Sequence, residues 1–251
     1  MSKKESAAKK AAIGYIISPT AEGQQMSKKE SAAKKAAIIG YIVAAILLFA
    51  VVLIIPQSRD VFKSLSGSHP YLMGFAKFAL LATAGELIAA YIANFAPTVP
   101  VKIVGRFIIW GFIGVWITFM MKVFSVAAAQ MMAGGLLPGG DSSFLRALYT
   151  SVLMNTSFGP TFMAVHKCSD KWLELRSKKE DTSLKSVIGS IDWSAFVGFT
   201  LLKTVPLFWI PAHTVTFMLP SEYQVMMAAA LSVALGVFLS LGNRKKKSKE
   251  K

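Results

Sequence analysis

The block from Ala36 to Ile55, AAIIGYIVAAILLFAVVLII, contains twenty consecutive residues without a charge. An α-helix rises about 1.5 Å per residue, so a helix of this length matches the roughly 30 Å hydrocarbon core of a bilayer. A helix on the surface of a soluble protein normally carries a polar face, and this block is apolar throughout. The block therefore indicates an integral membrane protein whose first transmembrane helix covers residues 36–55.

The rest of the chain agrees with this interpretation. Only 16% of the 251 residues are charged, whereas a soluble domain has about 25%. None of the later apolar blocks shows the alternating polarity of a barrel strand. The sequence predicts an all-α, polytopic transmembrane helical bundle of about six spans, in which one N-terminal anchor span precedes a core. The five later apolar blocks are Pro70–Phe95, Ile103–Ala133 (most apolar over Phe107–Met121), Phe144–Val165, Trp193–Ile210 and Tyr223–Leu241.

Lysine and arginine are distributed unevenly between the two sides of these six spans. With both termini on the cytoplasmic face, the cytoplasmic segments hold 22 of these residues and the external loops hold 3. The positive-inside rule predicts such an excess on the cytoplasmic side. We therefore expect both termini in the cytoplasm, with the protein in a bacterial cytoplasmic membrane or, in a eukaryote, in an organelle membrane.

The same distribution accounts for the net charge of +15. Basic residues can bind nucleic acid, but here they are split among two tails and one loop on one face of the predicted bundle. Each lysine or arginine beside a membrane contributes roughly 1 kcal/mol of attraction to anionic lipids. We therefore expect anionic lipid headgroups on the cytoplasmic face as partners, and no nucleic acid.

The N-terminal region contains a direct repeat. The sequence MSKKESAAKKAAI occurs at residues 1–13 and again at 26–38. Two copies are too few for a stacked repeat architecture. We interpret residues 1–35 as a basic cytoplasmic tail in which 1–25 are a duplicated or added leader, although a functional tandem basic arm is the alternative. Residues 242–251 form a second basic cytoplasmic tail.

The sequence carries no recognisable catalytic set. Cys168 is the only cysteine, and His69, His166 and His213 lie far apart, so the Cys/His spacing of a zinc site cannot be built. His166 and Cys168 lie two residues apart, which on a helix points them in different directions. We interpret them as two interfacial residues. Common nucleophile, zincin and nucleotide-binding motifs are absent as well, so we expect no enzyme, no cofactor and no metal.

Ionisable groups inside apolar helices are costly and therefore suggest function. Lys77 lies on a different helical face from Glu86, so we expect Glu86 to meet Lys203, a hydroxyl group or water. A water-filled cavity and an isolated structural pair are both open interpretations of Glu86 and Lys203. We interpret Arg106 and Lys122 as reaching to opposite membrane interfaces. The pore-lining or intramembrane polar candidates are Glu86, Asn155, Thr156, Lys203 and His213.

The stretch NTSFGPTFMAVHK, residues 155–167, interrupts the fourth apolar block with small polar residues followed by Gly159 and Pro160. Proline removes a helical hydrogen bond, and polar side chains can satisfy the freed backbone. A kinked, tightly packed helix and a kink that faces a pore are both consistent with this pattern. The helix-kink candidates are Gly159, Pro160, Pro206 and Pro211.

Several segments resemble the Mpv17/PMP22 family of organelle membrane proteins, in the same order. They are YLMGFAKFALLATAGELIAAYI, GRFIIWGFIGVW, FGPTFM and FWIPAHTVTFMLPSEYQ, within about residues 70–241. The family's glycine–acid pair matches Gly85-Glu86, and its Phe-small-Pro sequence matches residues 158–160. A signature near the end is matched loosely by Trp209, Pro211, Thr216, Phe217, Pro220 and Gln224.

The chain also departs from the family pattern. Met154-Asn155 stands where the family has an Asp-Gln pair, and Thr216 and Gln224 replace an asparagine and an arginine. The family's His-Trp-Tyr cluster is largely missing around residues 116–122. The resemblance implies a distant member with a Mpv17/PMP22-like transmembrane core at 70–241, and a weakly selective passage for small solutes.

These observations favour a non-enzymatic channel or channel-like protein for small solutes or ions, which could also assemble as a homo-oligomer. The alternative is a non-catalytic membrane scaffold or assembly factor whose basic cytoplasmic face docks anionic lipids or partner proteins. An enzyme embedded in the membrane is the third hypothesis, and the lack of a paired nucleophile and base argues against it.

Overall fold

The structure is a computed structural model that describes residues 21–94 and 102–249. Across these two ranges the chain is helical and contains no strand, so the all-α prediction is confirmed there. The first copy of the repeat, residues 1–13, lies outside the described residues.

Ten α-helices and two π-helical segments follow one another along the described chain. In order they are α1 (Ala21–Ile54), α2 (Pro56–Ser68), α3 (Pro70–Asn94), α4 (Ile103–Ala133), α5 (Ser143–Leu153), the first π-segment (Met154–Phe158), α6 (Gly159–Lys178), α7 (Leu184–Gly189), α8 (Trp193–Ala195), the second π-segment (Phe196–Trp209), α9 (Ile210–Met218) and α10 (Ser221–Lys249).

Within the described ranges, four helical stretches are long and apolar enough to cross a membrane: Lys35–Val52, Pro70–Ile92, Ile103–Ala133 and Trp193–Met218. A shorter apolar helix covers Ser221–Val237. These stretches support a membrane protein, whereas the count of six spans stays a prediction.

The predicted fourth span, Phe144–Val165, differs most from a simple transmembrane helix. It is divided among α5, the first π-segment and the start of α6. The physical reason is local, because Pro160 has no N–H to donate to the preceding turn and the small polar residues before it give the backbone other partners.

The core lies where α3, α4, the first π-segment and α10 meet. Its buried side chains are Phe78, Ala82, Trp110, Ile113, Ile117, Met121, Met154, Phe158, Val225, Ala228 and Ala229. Glycines bring α3 close to α4, since a methyl group at Gly114 would overlap the carbonyl oxygen of Gly74. Small residues at a helix interface allow this close approach in membrane proteins.

The outer surface of the bundle is rich in large apolar side chains. Ile54, Phe112, Leu202 and Leu207 are 74%, 66%, 69% and 78% exposed. A soluble protein rarely leaves so many large apolar side chains in contact with water. This surface fits a bundle whose outer side chains contact lipid.

Candidate functional site

A partly open cavity of about 370 Å³ lies between α3, α4, α6, α9, α10 and both π-segments. Most of its wall is apolar or aromatic, with contributions from Phe78, Trp110, Phe158, Phe162 and Trp209. Polar side chains occupy a few points on this wall. Sites for small molecules in proteins typically combine an apolar wall with a few placed polar groups.

Four of the residues singled out from the sequence line this one cavity. They are Glu86 from α3, Asn155 from the first π-segment, Gly159 at the start of α6 and His213 from α9. The folded chain therefore brings together residues from three separate parts of the sequence, around positions 86, 155–159 and 213.

The other sequence candidates lie elsewhere. Lys203 and Thr156 are exposed, and neither lines the cavity. Pro160, Pro206 and Pro211 are also absent from the cavity wall. Lys203, one of the three partners expected for Glu86, is exposed on its own segment, and Glu86 instead contacts Arg106 and Trp110.

Asn155 and His213 form a buried polar pair at one part of the cavity. Asn155 Nδ2 donates to the carbonyl oxygen of Ser151 over 2.8 Å, and it lies 3.0 Å from His213 Nδ1. The Ser151 hydroxyl in turn donates to the Ile210 carbonyl over 2.8 Å. The ring of Trp209 lies 5.2 Å from that of His213. These contacts connect the first π-segment to α9 and hold both polar side chains in place.

The π-geometry of residues 154–158 places Asn155 on the cavity wall. Two residues after this segment ends, Pro160 lacks the N–H group that would continue the α-helical hydrogen bonds. The Thr156 hydroxyl donates back to the Val152 carbonyl over 2.7 Å. Short π-bulges inside helices frequently occur at functional sites, and here the bulge adjoins the cavity.

A network of charged side chains occupies another part of the cavity. Arg106 Nη1 lies 3.2 Å from Glu86 Oε1 and 2.7 Å from Asp170 Oδ1. Trp110 Nε1 donates to the same Glu86 oxygen over 2.9 Å. Each charged side chain is largely buried, with 16% of Arg106, 19% of Glu86 and 32% of Asp170 exposed. Burial of charge demands such pairing.

His166 extends this network by one helical turn. Its Nε2 lies 3.6 Å from Asp170 Oδ2, and its ring lies 4.3 Å from the ring of Trp110. Two buried atoms of the network, Glu86 Oε2 and His166 Nδ1, have no hydrogen-bond partner within the described part of the chain. These two atoms can therefore contact a ligand beside the cavity.

The sequence interpretation missed the roles of four residues. Arg106 does not simply extend to the interface, because it pairs with two carboxylates, and His166 lines the cavity. One signal was present: Arg106 and Trp110 are four residues apart, as are His166 and Asp170, and this spacing places each pair on one helical face. The third element, α3, could be joined to them only in three dimensions.

Glu86, His166 and Asp170 also form a set of metal-ligating types. One ligand atom from each lies within 4.8 Å of the other two. The sequence-based expectation that no local metal motif exists rests on chain spacing, whereas this set is assembled across α3 and α6.

Comparisons with known proteins add no relative. No family model, no curated protein and no solved structure matches the chain. Membership of the Mpv17/PMP22 family therefore stays a prediction from the sequence.

Proposed function

We propose that the protein is a weakly selective channel or channel-like protein for small solutes or ions, and that the cavity is the solute site. One observation carries this proposal, namely that Glu86, Asn155 and His213 line the same cavity inside an apolar bundle. Polar groups are expensive within a membrane and are kept where they contact water, solute or one another.

The cavity has the size and chemistry for a small polar solute. Its volume of about 370 Å³ falls within the range of ordinary ligand sites. Asn155 and His213 offer both donor and acceptor atoms, so a solute can exchange part of its hydration shell for protein contacts. Glu86 favours cations over anions near its part of the wall. The resemblance to the Mpv17/PMP22 family favours the same function.

Single-channel recording of the purified protein in planar bilayers tests this proposal. Asn155→Leu and His213→Leu replace cavity polarity with apolar groups of similar size, so we expect each to reduce conductance several-fold. Glu86→Gln removes a negative charge and should lower the preference for cations. Lys203→Met and Thr156→Val are matched controls on exposed residues, and they should leave conductance unchanged.

Two outcomes contradict the proposal. Equal conductance in the cavity variants and the controls would show that solute does not pass through this cavity. A silent bilayer that contains folded wild-type protein would favour the scaffold hypothesis instead. Under that hypothesis, replacing lysine or arginine in the basic segments by uncharged residues reduces binding to anionic lipid vesicles, whereas cavity substitutions do not.

A further inference from the structure

We propose that Glu86, His166 and Asp170 bind one divalent transition-metal ion at the edge of the cavity. One ligand atom from each side chain lies within 4.8 Å of the other two, so small side-chain rotations bring all three onto one ion. Metal binding here does not require the cavity to conduct. It is a function separate from the weakly selective passage of solutes.

The backbone places these ligands appropriately. His166 and Asp170 are one helical turn apart on α6, and this spacing directs both side chains to the same face. Glu86 reaches the same place from α3. Two ligands therefore lie on α6 and one on α3, and Arg106 of α4 contacts a carboxylate on each of these two helices.

Arg106 and Trp110 position the carboxylates and leave ligand atoms available. Arg106 Nη1 contacts Glu86 Oε1 and Asp170 Oδ1, which are one oxygen of each carboxylate. Trp110 Nε1 donates to that same Glu86 oxygen. Glu86 Oε2 is buried and has no hydrogen-bond partner among the described residues. Asp170 Oδ2 faces His166 Nε2 at 3.6 Å, which exceeds a hydrogen-bond length.

The partnerless atoms point to an occupant. Leaving a buried acceptor without a partner costs about 1–3 kcal/mol, and more for a charged group. Glu86 Oε2 is such an acceptor, and His166 Nδ1 likewise has no partner in the described ranges. An ion bound between the three side chains would coordinate the Glu86 Oε2 lone pair and one ring nitrogen of His166.

The charge balance selects a cation. Among the described residues, two carboxylates face one guanidinium, so with a neutral imidazole these four side chains carry a net charge of −1. Lys167 also lines the cavity, but it is exposed to solvent, where its charge is screened. The guanidinium already contacts two carboxylate oxygens, so an anion would meet those carboxylates with repulsion.

The ligand set indicates the class of cation. Imidazole nitrogen suits Zn²⁺ and its first-row neighbours, whereas Mg²⁺ and Ca²⁺ prefer a shell of oxygens. Three protein ligands leave a fourth position of a tetrahedral ion open. Because all three side chains line the cavity, that position is available to water or to a small solute.

Metal titration of the full-length protein in detergent micelles, after removal of any affinity tag, tests the site. We expect isothermal titration to show one saturable Zn²⁺ per chain, with Mg²⁺ binding at least tenfold more weakly. His166→Ala and Asp170→Asn should each lower Zn²⁺ affinity at least tenfold. His69→Ala and Asp181→Asn are matched controls outside the cavity wall, and they should leave the affinity unchanged.

Cobalt provides a second readout that does not depend on the stability of a variant. Co²⁺ bound by one imidazole and two carboxylates at low coordination number should give wild-type protein a visible absorption band stronger than that of aqueous Co²⁺, and excess Zn²⁺ should remove it. The proposal is overturned if folded wild-type protein leaves the Co²⁺ spectrum as in water. It is equally overturned if His166→Ala and Asp170→Asn bind Zn²⁺ as tightly as wild type. Neither readout involves conductance, so failure here is distinguishable from failure of the channel proposal.

Discussion

Lys77 shows how a single buried charge is accommodated in this protein. Its Nζ donates to Ser66 Oγ over 2.9 Å and to the Glu222 carbonyl over 3.0 Å, and it lies 4.3 Å from the centroid of the Phe62 ring. The sequence indicates only that Lys77 cannot share a helical face with Glu86. Its partners come from two other helices, α2 and α10, so chain periodicity could not identify them.

Glu174 leads to a prediction about pH. The hydrogen bonds from Lys171 and then Lys178, both at 2.7 Å, lower the pKa of this carboxyl group from 4.5 to about 2. A folded-state pKa below that of the unfolded chain means that these contacts stabilise α6 fully above about pH 4.5. The stabilisation is lost as the pH falls toward 2. We expect carboxyl-carbon NMR of the protein in micelles to give Glu174 a titration midpoint near 2.

The prediction for Glu174 has a direct control. Glu174→Gln should remove the acid sensitivity of hydrogen exchange in the last turns of α6 between pH 4.5 and 2. Glu180→Gln removes a carboxylate in the same stretch and leaves both lysine contacts of Glu174 in place, so that sensitivity should persist. A midpoint at the ordinary value of 4.5 in wild-type protein contradicts the prediction.

At the scale of elements, Pro160 predicts that a helix is interrupted, but the form of that interruption is seen only in the structure. The sequence places Gly159 and Pro160 within one apolar block and predicts a disturbed helix. The structure resolves the disturbance as a π-helical segment over Met154–Phe158. Its consequence is positional, because Asn155 lies on the cavity wall while Thr156 is exposed.

Close packing between α3 and α4 gives a prediction about stability. Gly114→Ala places a methyl group against the Gly74 carbonyl oxygen and the Phe78 side chain, and the backbone oxygen cannot rotate away. Overpacking of this kind typically costs about 1–3 kcal/mol, although alanine by itself favours a helix over glycine. We expect thermal unfolding in micelles at a temperature several degrees below that of wild type.

Gly40→Ala in α1 is the matched control for that substitution. A methyl group there meets nothing within 4 Å, so only the helix-propensity gain remains and stability should stay equal or rise slightly. A Gly114→Ala variant as stable as Gly40→Ala would show that α3 and α4 are less closely packed than described.

At the scale of the whole molecule, the distribution of basic residues predicts which face is cytoplasmic. Cys168 is the only cysteine and is partly exposed within segment 166–192, which the positive-inside rule places on the cytoplasmic side. We expect a membrane-impermeant thiol reagent to label Cys168 only when the cytoplasmic face is accessible. Inverted and right-side-out vesicles from the expression host provide the two conditions.

A second labelling site checks the opposite face. In a Cys168→Ser background, Ser64→Cys lies in α2, within the predicted external loop that follows the first span. We expect this cysteine to react from the side opposite to Cys168. Labelling of both positions from the same side would contradict the six-span topology, which places three spans between them, and would favour an even number of spans there.

The sequence by itself indicated the class of this protein, a bundle of apolar helices, and the polar residues within those helices. Twenty uncharged residues from Ala36 to Ile55 and the apolar blocks after them favour helices in a bilayer, because a backbone in hydrocarbon must satisfy its own hydrogen bonds. The same patterns located most helices and singled out Glu86, Asn155 and His213, since polar groups are conspicuous in an apolar setting.

Only the tertiary structure decided which of these polar groups meet. Arg106, Asp170 and His166 join Glu86, whereas Lys203 is exposed. Helical periodicity fixes the face of a residue on its own helix, but the rotation of that helix against its neighbours depends on packing at positions such as Gly74 and Gly114. Cavities and charge networks form between helices, so their composition follows from that packing and not from any one segment.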